Sequence, residues 1–380
     1  MVAIGMTWQR LGNRLRQQDW KLLGVVSVLL GVFLWYATTL TPYRNVGQDS
    51  FYEVSDANTS NYQRARIGDV SKEGVAQVTL LDGYNSGSKA EVKVEKTKSR
   101  ELSAGDIVLV IEHSENGGDD VVAYVDAWRL PVLAVLLAVF IASAVAIGGR
   151  QGAMSVLGLL LSILVVGWFI VPMIISGYDA LIISLIGSYI IAGTSVLISH
   201  GWRVRTFISI GCIVGIVTLV AVLAWIVTIL ASLSGIADEA ALYLLIDNTQ
   251  LDIRGVMIGG IIIASLGMLD DVVTTQVATT EELHKTDRSQ SPKKLYAAAS
   301  SVGGEHIASL VNTLALAYVG ASLPMVILLS MQNSPSALLA FNGQYIATEV
   351  VRTLVASIGL IFSVPISTLA ATMYYARRKR

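Results

Sequence analysis

Runs of about 20 consecutive apolar residues recur along this chain, and each is long enough to cross the hydrocarbon of a bilayer as a helix. They cover 22–40, 130–147, 153–175, 180–199, 206–233, 255–278, 307–330 and 350–373. Eight such runs in 380 residues leave little chain for a soluble core. Composition points the same way. At 53% hydrophobic and 14% charged residues, the chain is too apolar for a soluble globule of its length. It reads as an α-helical multi-pass membrane protein of about eight transmembrane helices.

Lys and Arg orient those spans. Arg10, Arg14, Arg16 and Lys21 precede the first, Arg150 lies between the second and third, and Arg203 and Arg205 between the fourth and fifth. Lys285, Arg288, Lys293 and Lys294 lie between the sixth and seventh, and "RRKR" ends the chain. If eight spans alternate, all of these fall on one side, while "SGYDA" and "MQNSPSALLAFNGQ" carry no Lys or Arg. The positive-inside rule then places both termini in the cytoplasm. No small-residue cleavage site follows 22–40, so that run reads as an uncleaved signal anchor behind a basic N-terminus, together residues 1–41.

Residues 42–128 form a polar interval that this orientation places outside. "VAQVTLL" and "AEVKVE" flank the turn-rich "DGYNSGSK", and "DIVLVIE" and "VVAYV" flank "HSENGGDD". Alternation broken by turn residues predicts a small all-β barrel or sandwich inserted between helices 1 and 2. Its acids include no twelve-residue calcium loop, so they read as solvated turns. Residues 129–380 are then a seven-helix membrane domain.

The net charge of −1 gives no sign of a nucleic-acid partner. Cys212, the single cysteine, cannot close an intramolecular disulfide. There is no HExxH, GxSxG, GxxxxGK[ST] or Rossmann glycine pattern, so no enzyme chemistry and no cofactor are evident beyond a bound cation. The partners expected are the bilayer, a small solute or ion, and a protein recruited by the β domain.

Asp270 and Asp271 stand inside the sixth apolar run, where a carboxylate costs at least about 2.5 kcal/mol and marks a functional site by default. Two depths remain open. Counting back from Thr280 puts the pair about 14 Å inside the membrane, near its midplane; a helix ending at Gly267 puts it at the cytoplasmic boundary. On the next helix Glu305, Ser309 and Asn312 recur at i, i+4 and i+7, with His306 and Thr313 beside them. The two polar stripes are expected to face each other. Carboxylates with imidazole, hydroxyl and amide groups suit a proton relay or a hard cation, and Asp270, Asp271 and His306 are the metal-ligand candidates. The plainer alternatives are that Asp270 pairs with Arg352, that Asn312 is interhelical glue, and that Glu349 and Arg352 form an ion pair within the last span. His200, at the cytoplasmic end of the fourth span, reads as interfacial. Gly211 with Gly215 and Gly255 with Gly259 are GxxxG patterns expected to bring helices close.

From about Ala127 onward the chain resembles the YibE/F-like family of multi-pass bacterial membrane proteins. The resemblance rests on "YVDAWRLP", "LISHGW", "GIADEAALYLL", "IASLGMLDDVVTTQ", "GGEHIASLVNTLALAYVGASLPMVILL" and "TEVVRTLVASIGLIFSVPIST". It implies a bacterial cytoplasmic membrane and marks Asp270, Asp271, His306, Asn312, Thr313, Glu349 and Arg352 as pattern positions, with Thr348 a departure where a second acid is expected. It implies no established activity. The leading expectation is an ion- or proton-coupled secondary transporter, and the alternative is a membrane scaffold that recruits another protein through its β domain.

Overall fold

The computed structural model describes residues 61–70, 75–83, 85–93, 103–113, 121–236, 239–247, 251–324, 326–327 and 342–377. The apolar run 22–40 lies outside them. The chain divides into two compact units, 1–147 and 148–380.

The first unit holds a five-stranded antiparallel sheet of β1 (Asn61–Val70), β2 (Val75–Leu80), β3 (Lys89–Lys93), β4 (Ile107–His113) and β5 (Val121–Ala127). The strand order is β3-β2-β1-β4-β5, and the two edge strands approach each other. The sheet is thus a partly open barrel rather than a sandwich, wound as in an OB-type fold. Ala65, Ile67, Ala76, Val78, Leu80, Val92, Val108 and Val110 fill its interior. The central strand β1 is not among the four strands predicted. Its inward positions are Gln63, Ala65 and Ile67, and a polar and a small residue there hide the period-2 signal. Gln63 donates to Glu112 at 2.7 Å, and Arg64 binds Asp82 through two hydrogen bonds of 2.6 and 2.7 Å. Arg64 also stacks over Trp128, 5.3 Å from the ring centroid.

Five helices among the described residues are long and apolar enough to cross a membrane. They are α1 (Leu130–Ile175), α2 (Ala180–His200), α3 (Val204–Leu230), α5 (Ile253–Thr286) and α7, whose crossing segment is Gln344–Ala376 of a helix Gln344–Arg377. Between them these five take up six of the eight expected runs. The 46 residues of α1 are two helices that meet at a kink, and they take up two of the expected runs. Gly149 forms the kink at φ +56°, in the left-handed region that glycine enters freely. Before Pro172, which has no N–H to donate, the helix widens into a π turn over Val166–Ile170. The run 307–330 begins on α6 (Pro292–Ala321), which is not among the five, and ends outside the described residues. A short α4 (Glu239–Asp247) precedes α5.

Within the second unit α5 is the hub. Helices α2, α3, α6 and α7 all pack on it, around Ile213, Ile216, Ile258, Ile261, Ile262 and Leu269. The glycines explain how closely. A Cβ at Gly255 would meet the Ala180 methyl at 3.3 Å, and one at Gly259 would meet the Ser184 side chain, so this GxxxG pair carries the α2–α5 contact. Gly211 and Gly215 do not behave as expected. Nothing lies within 4 Å of either added Cβ, so they mediate no close approach among the described residues.

Candidate functional site

The α2–α3 turn sets up one wall. Gly201, at φ +72°, ends α2 after His200; Thr206 Oγ donates back to the Gly201 carbonyl at 2.8 Å, so α3 starts at once in the opposite direction. This brings His200, Arg205, Thr206 and Ser209 together. Facing them, α5 shows Thr275, Thr279, Glu282 and Thr286, three or four residues apart and so on one side of the helix, with Thr274 beside them. With Gln151 they line an open cavity of about 520 Å³, most of whose lining side chains are polar. Arg205 lies 3.8 Å from Glu281, which Lys285 also approaches at 2.9 Å.

Asp270 and Asp271 lie one helical turn from this wall, since Thr274 and Thr275 follow each by four residues. Asp270 is half-buried and accepts a hydrogen bond of 3.3 Å from Ser195 of α2. Asp271 is exposed and is within electrostatic reach of His200. Neither acid has a cationic partner among the described residues. Arg352 binds Glu349 instead, at 2.7 Å within α7. Asp270 is therefore not paired with Arg352.

The expected meeting of the α5 and α6 stripes does not take place. Glu305, His306, Ser309, Asn312 and Thr313 are exposed in the described part of the structure, while Ile307, Leu310 and Val311 are the α6 residues that pack with Met268 and Val272 of α5. The face of α6 that packs inward carries Leu295, Ala299 and Gly303. Consistent with this, no group of three or more His, Cys, Asp or Glu among the described residues is placed to hold a metal ion, and Asp270, Asp271 and His306 form no such set.

Three participants carry little signal in the sequence. Ser195 reaches Asp270 because Gly158 of α1, whose added Cβ would lie 3.2 Å from the Ser195 hydroxyl, leaves room for that side chain. His200 is more than interfacial, since it lines the cavity. Gln276 is the interhelical glue expected of Asn312: it is buried and donates to the Ala299 carbonyl at 2.8 Å and to Thr368 Oγ at 2.7 Å, tying α5 to α6 and α7. Its one sequence signal is an amide inside an apolar run.

Residues 136–377, more than half of the chain, match the family model described as YibE/F-like protein. No curated protein and no solved structure matches the chain.

Proposed function

The chain belongs to the YibE/F-like family, and on that premise we propose that it is an ion- or proton-coupled secondary transporter of a bacterial cytoplasmic membrane. Asp270 and Asp271 are the coupling residues. The observation that carries this reading is a cavity of about 520 Å³ lined by hydroxyls, whose wall at Thr274 and Thr275 begins one helical turn from two carboxylates that no cation among the described residues neutralises. A carboxylate that serves packing needs a partner, because an unpaired charge in a low-dielectric interior is costly. A carboxylate that takes up and releases a proton or cation needs water on one side and no fixed counter-ion. Hydroxyls of Thr274, Thr275, Thr279 and Ser209, with the amide of Gln151, line the route as a hydrated species requires.

In the orientation set by Lys and Arg, the cavity opens to the cytoplasm. His200, within electrostatic reach of Asp271, exchanges protons with it in this reading, and Arg205, which lines the cavity, pairs with Glu281. A small solute enters the cavity and the acids couple its passage to an ion gradient. Glu349 and Arg352, paired on α7, take no direct part at the acids.

Asn in place of either aspartate keeps the shape and removes the charge. The Asp270→Asn and Asp271→Asn proteins are expected to fold, to melt within a few degrees of wild type, and to fail to complement a deletion strain. Full complementation by both variants and by the double variant would overturn the reading and favour the scaffold.

A further inference from the structure

Helices α2 and α5 run parallel with one register along their whole contact: Ala180 meets Gly255, Ser184 meets Gly259, and Ser195 meets Asp270, always 75 positions apart. The cavity lies at one end of this seam. Toward the other end the seam closes, since a Cβ at Gly259 would clash with the Ser184 side chain and one at Gly255 would press on the Ala180 methyl at 3.3 Å. Yet the closed half is not apolar. Ser184 and Ser188 lie on the same stripe of α2 as Ser195, at spacings of four and seven residues, and both are buried.

Ser188 is the unusual member of the stripe. Its side chain is 0% exposed, and its hydroxyl has no partner among the described residues. Ser and Thr inside a membrane helix ordinarily donate to the carbonyl one turn back. Ser162, Thr194, Ser265 and Thr274 all do so here, whereas Ser188 does not, nor do Thr228, Thr348 and Thr372 on the neighbouring helices away from this stripe. A hydroxyl buried without a partner costs about 1–3 kcal/mol, which argues for a group that receives something there.

We infer that the α2–α5 seam is the outer half of the coupling route, and that a proton or small desolvated monovalent cation passes from Ser184 to Ser188 and on to Ser195 and Asp270. The stripe offers oxygen lone pairs and ends on a carboxylate, which excludes anions. The glycine contacts exclude an organic solute, so the seam carries the coupling species alone while the larger cavity on the other side admits the substrate. This rests on the transporter reading, and it adds the path and the size of the coupling species.

Thiols report the path. In a Cys212→Ser background, Ser188→Cys, Thr275→Cys and Ile190→Cys are made in the full-length protein, Ile190 serving as the lipid-facing control. Membranes are exposed to Ag⁺ or to the bulkier 2-(trimethylammonium)ethyl methanethiosulfonate, then denatured, and the remaining thiols are counted with a maleimide dye. Because thiol modification proceeds through the hydrated thiolate, Ag⁺ is expected to modify Ser188→Cys at least about tenfold faster than Ile190→Cys. The methanethiosulfonate should leave Ser188→Cys untouched, and both reagents should modify Thr275→Cys. If Ag⁺ reaches Thr275→Cys but modifies Ser188→Cys no faster than Ile190→Cys, the seam is not the route and the transporter reading stands. If both reagents modify Ser188→Cys, the size limit is wrong. If neither reaches Thr275→Cys, the cavity is dry and the transporter reading falls with the inference.

Discussion

Ser195 of α2 donates its hydroxyl to Asp270 of α5 across 3.3 Å, 75 residues apart in sequence. This single polar contact decides which neighbour the first aspartate addresses. Ser195→Ala removes the bond and leaves the half-buried carboxylate with one partner fewer, so a modest loss of about 1 kcal/mol in stability is expected. Differential scanning fluorimetry in detergent measures it. A loss several times larger would mean that Asp270 is structural and depends on Ser195 for its burial.

The glycine pairs separate by contact. Gly259→Leu drives a side chain into Ser184 and should destabilise the protein by about 1–3 kcal/mol, the usual range for overpacking. A Cβ at Gly215, which is exposed, meets nothing within 4 Å, so Gly215→Leu should leave yield and melting temperature unchanged. Equal behaviour of the two variants would contradict the α2–α5 packing.

Gln276→Leu loses the bonds to Ala299 and Thr368 together. Interhelical hydrogen bonds in membranes contribute on the order of 0.6 kcal/mol each, so a melting shift of a few degrees is expected. A double-mutant cycle with Thr368→Val should give a positive coupling energy. Strict additivity would show that the 2.7 Å contact contributes nothing.

In the β barrel, the Arg64 hydrogen bond holds the Asp82 carboxyl below its ordinary value of 3.8. A depressed carboxylate stabilises the fold above its unfolded pKa, and that contribution is lost as pH falls through the folded pKa. The wild type should therefore exceed Asp82→Asn in melting temperature at neutral pH. The gap should begin to narrow near pH 3.8 and close below it. Both side chains are partly exposed, which keeps the difference to about 1 kcal/mol. A gap that stays constant down to about pH 2 would show that the pair does not form in solution.

Orientation has its own test. In intact cells with Cys212→Ser, Asn85→Cys should label with an impermeant maleimide and Ser289→Cys should not. Labelling at Ser289 without lysis would reverse the orientation drawn from Lys and Arg.

Local spacing by itself makes much of this protein legible. Apolar length alone identifies α1, α2, α3, α5 and α7 as membrane helices, because the bilayer requires about 20 apolar residues whatever the tertiary fold. Alternation reveals β2 to β5, and the i, i+3 spacing of Glu349 and Arg352 already implies their ion pair. What periodicity specifies is which residues share a face. It does not specify what that face meets. Strand β1 escapes periodicity because Gln63 and Ala65 occupy inward positions that only the curled sheet makes interior. The Asp270 face, expected to meet α6, meets α2, since α6 packs with Leu295, Ala299 and Gly303 inward while His306 and Asn312 are exposed. Gly255–Gly259 and Gly211–Gly215 are the same pattern, and only the first has a helix against it among the described residues. Each of these outcomes depends on contacts between segments tens of residues apart, where van der Waals fit across helices and strands, rather than residue spacing within one, selects the partner.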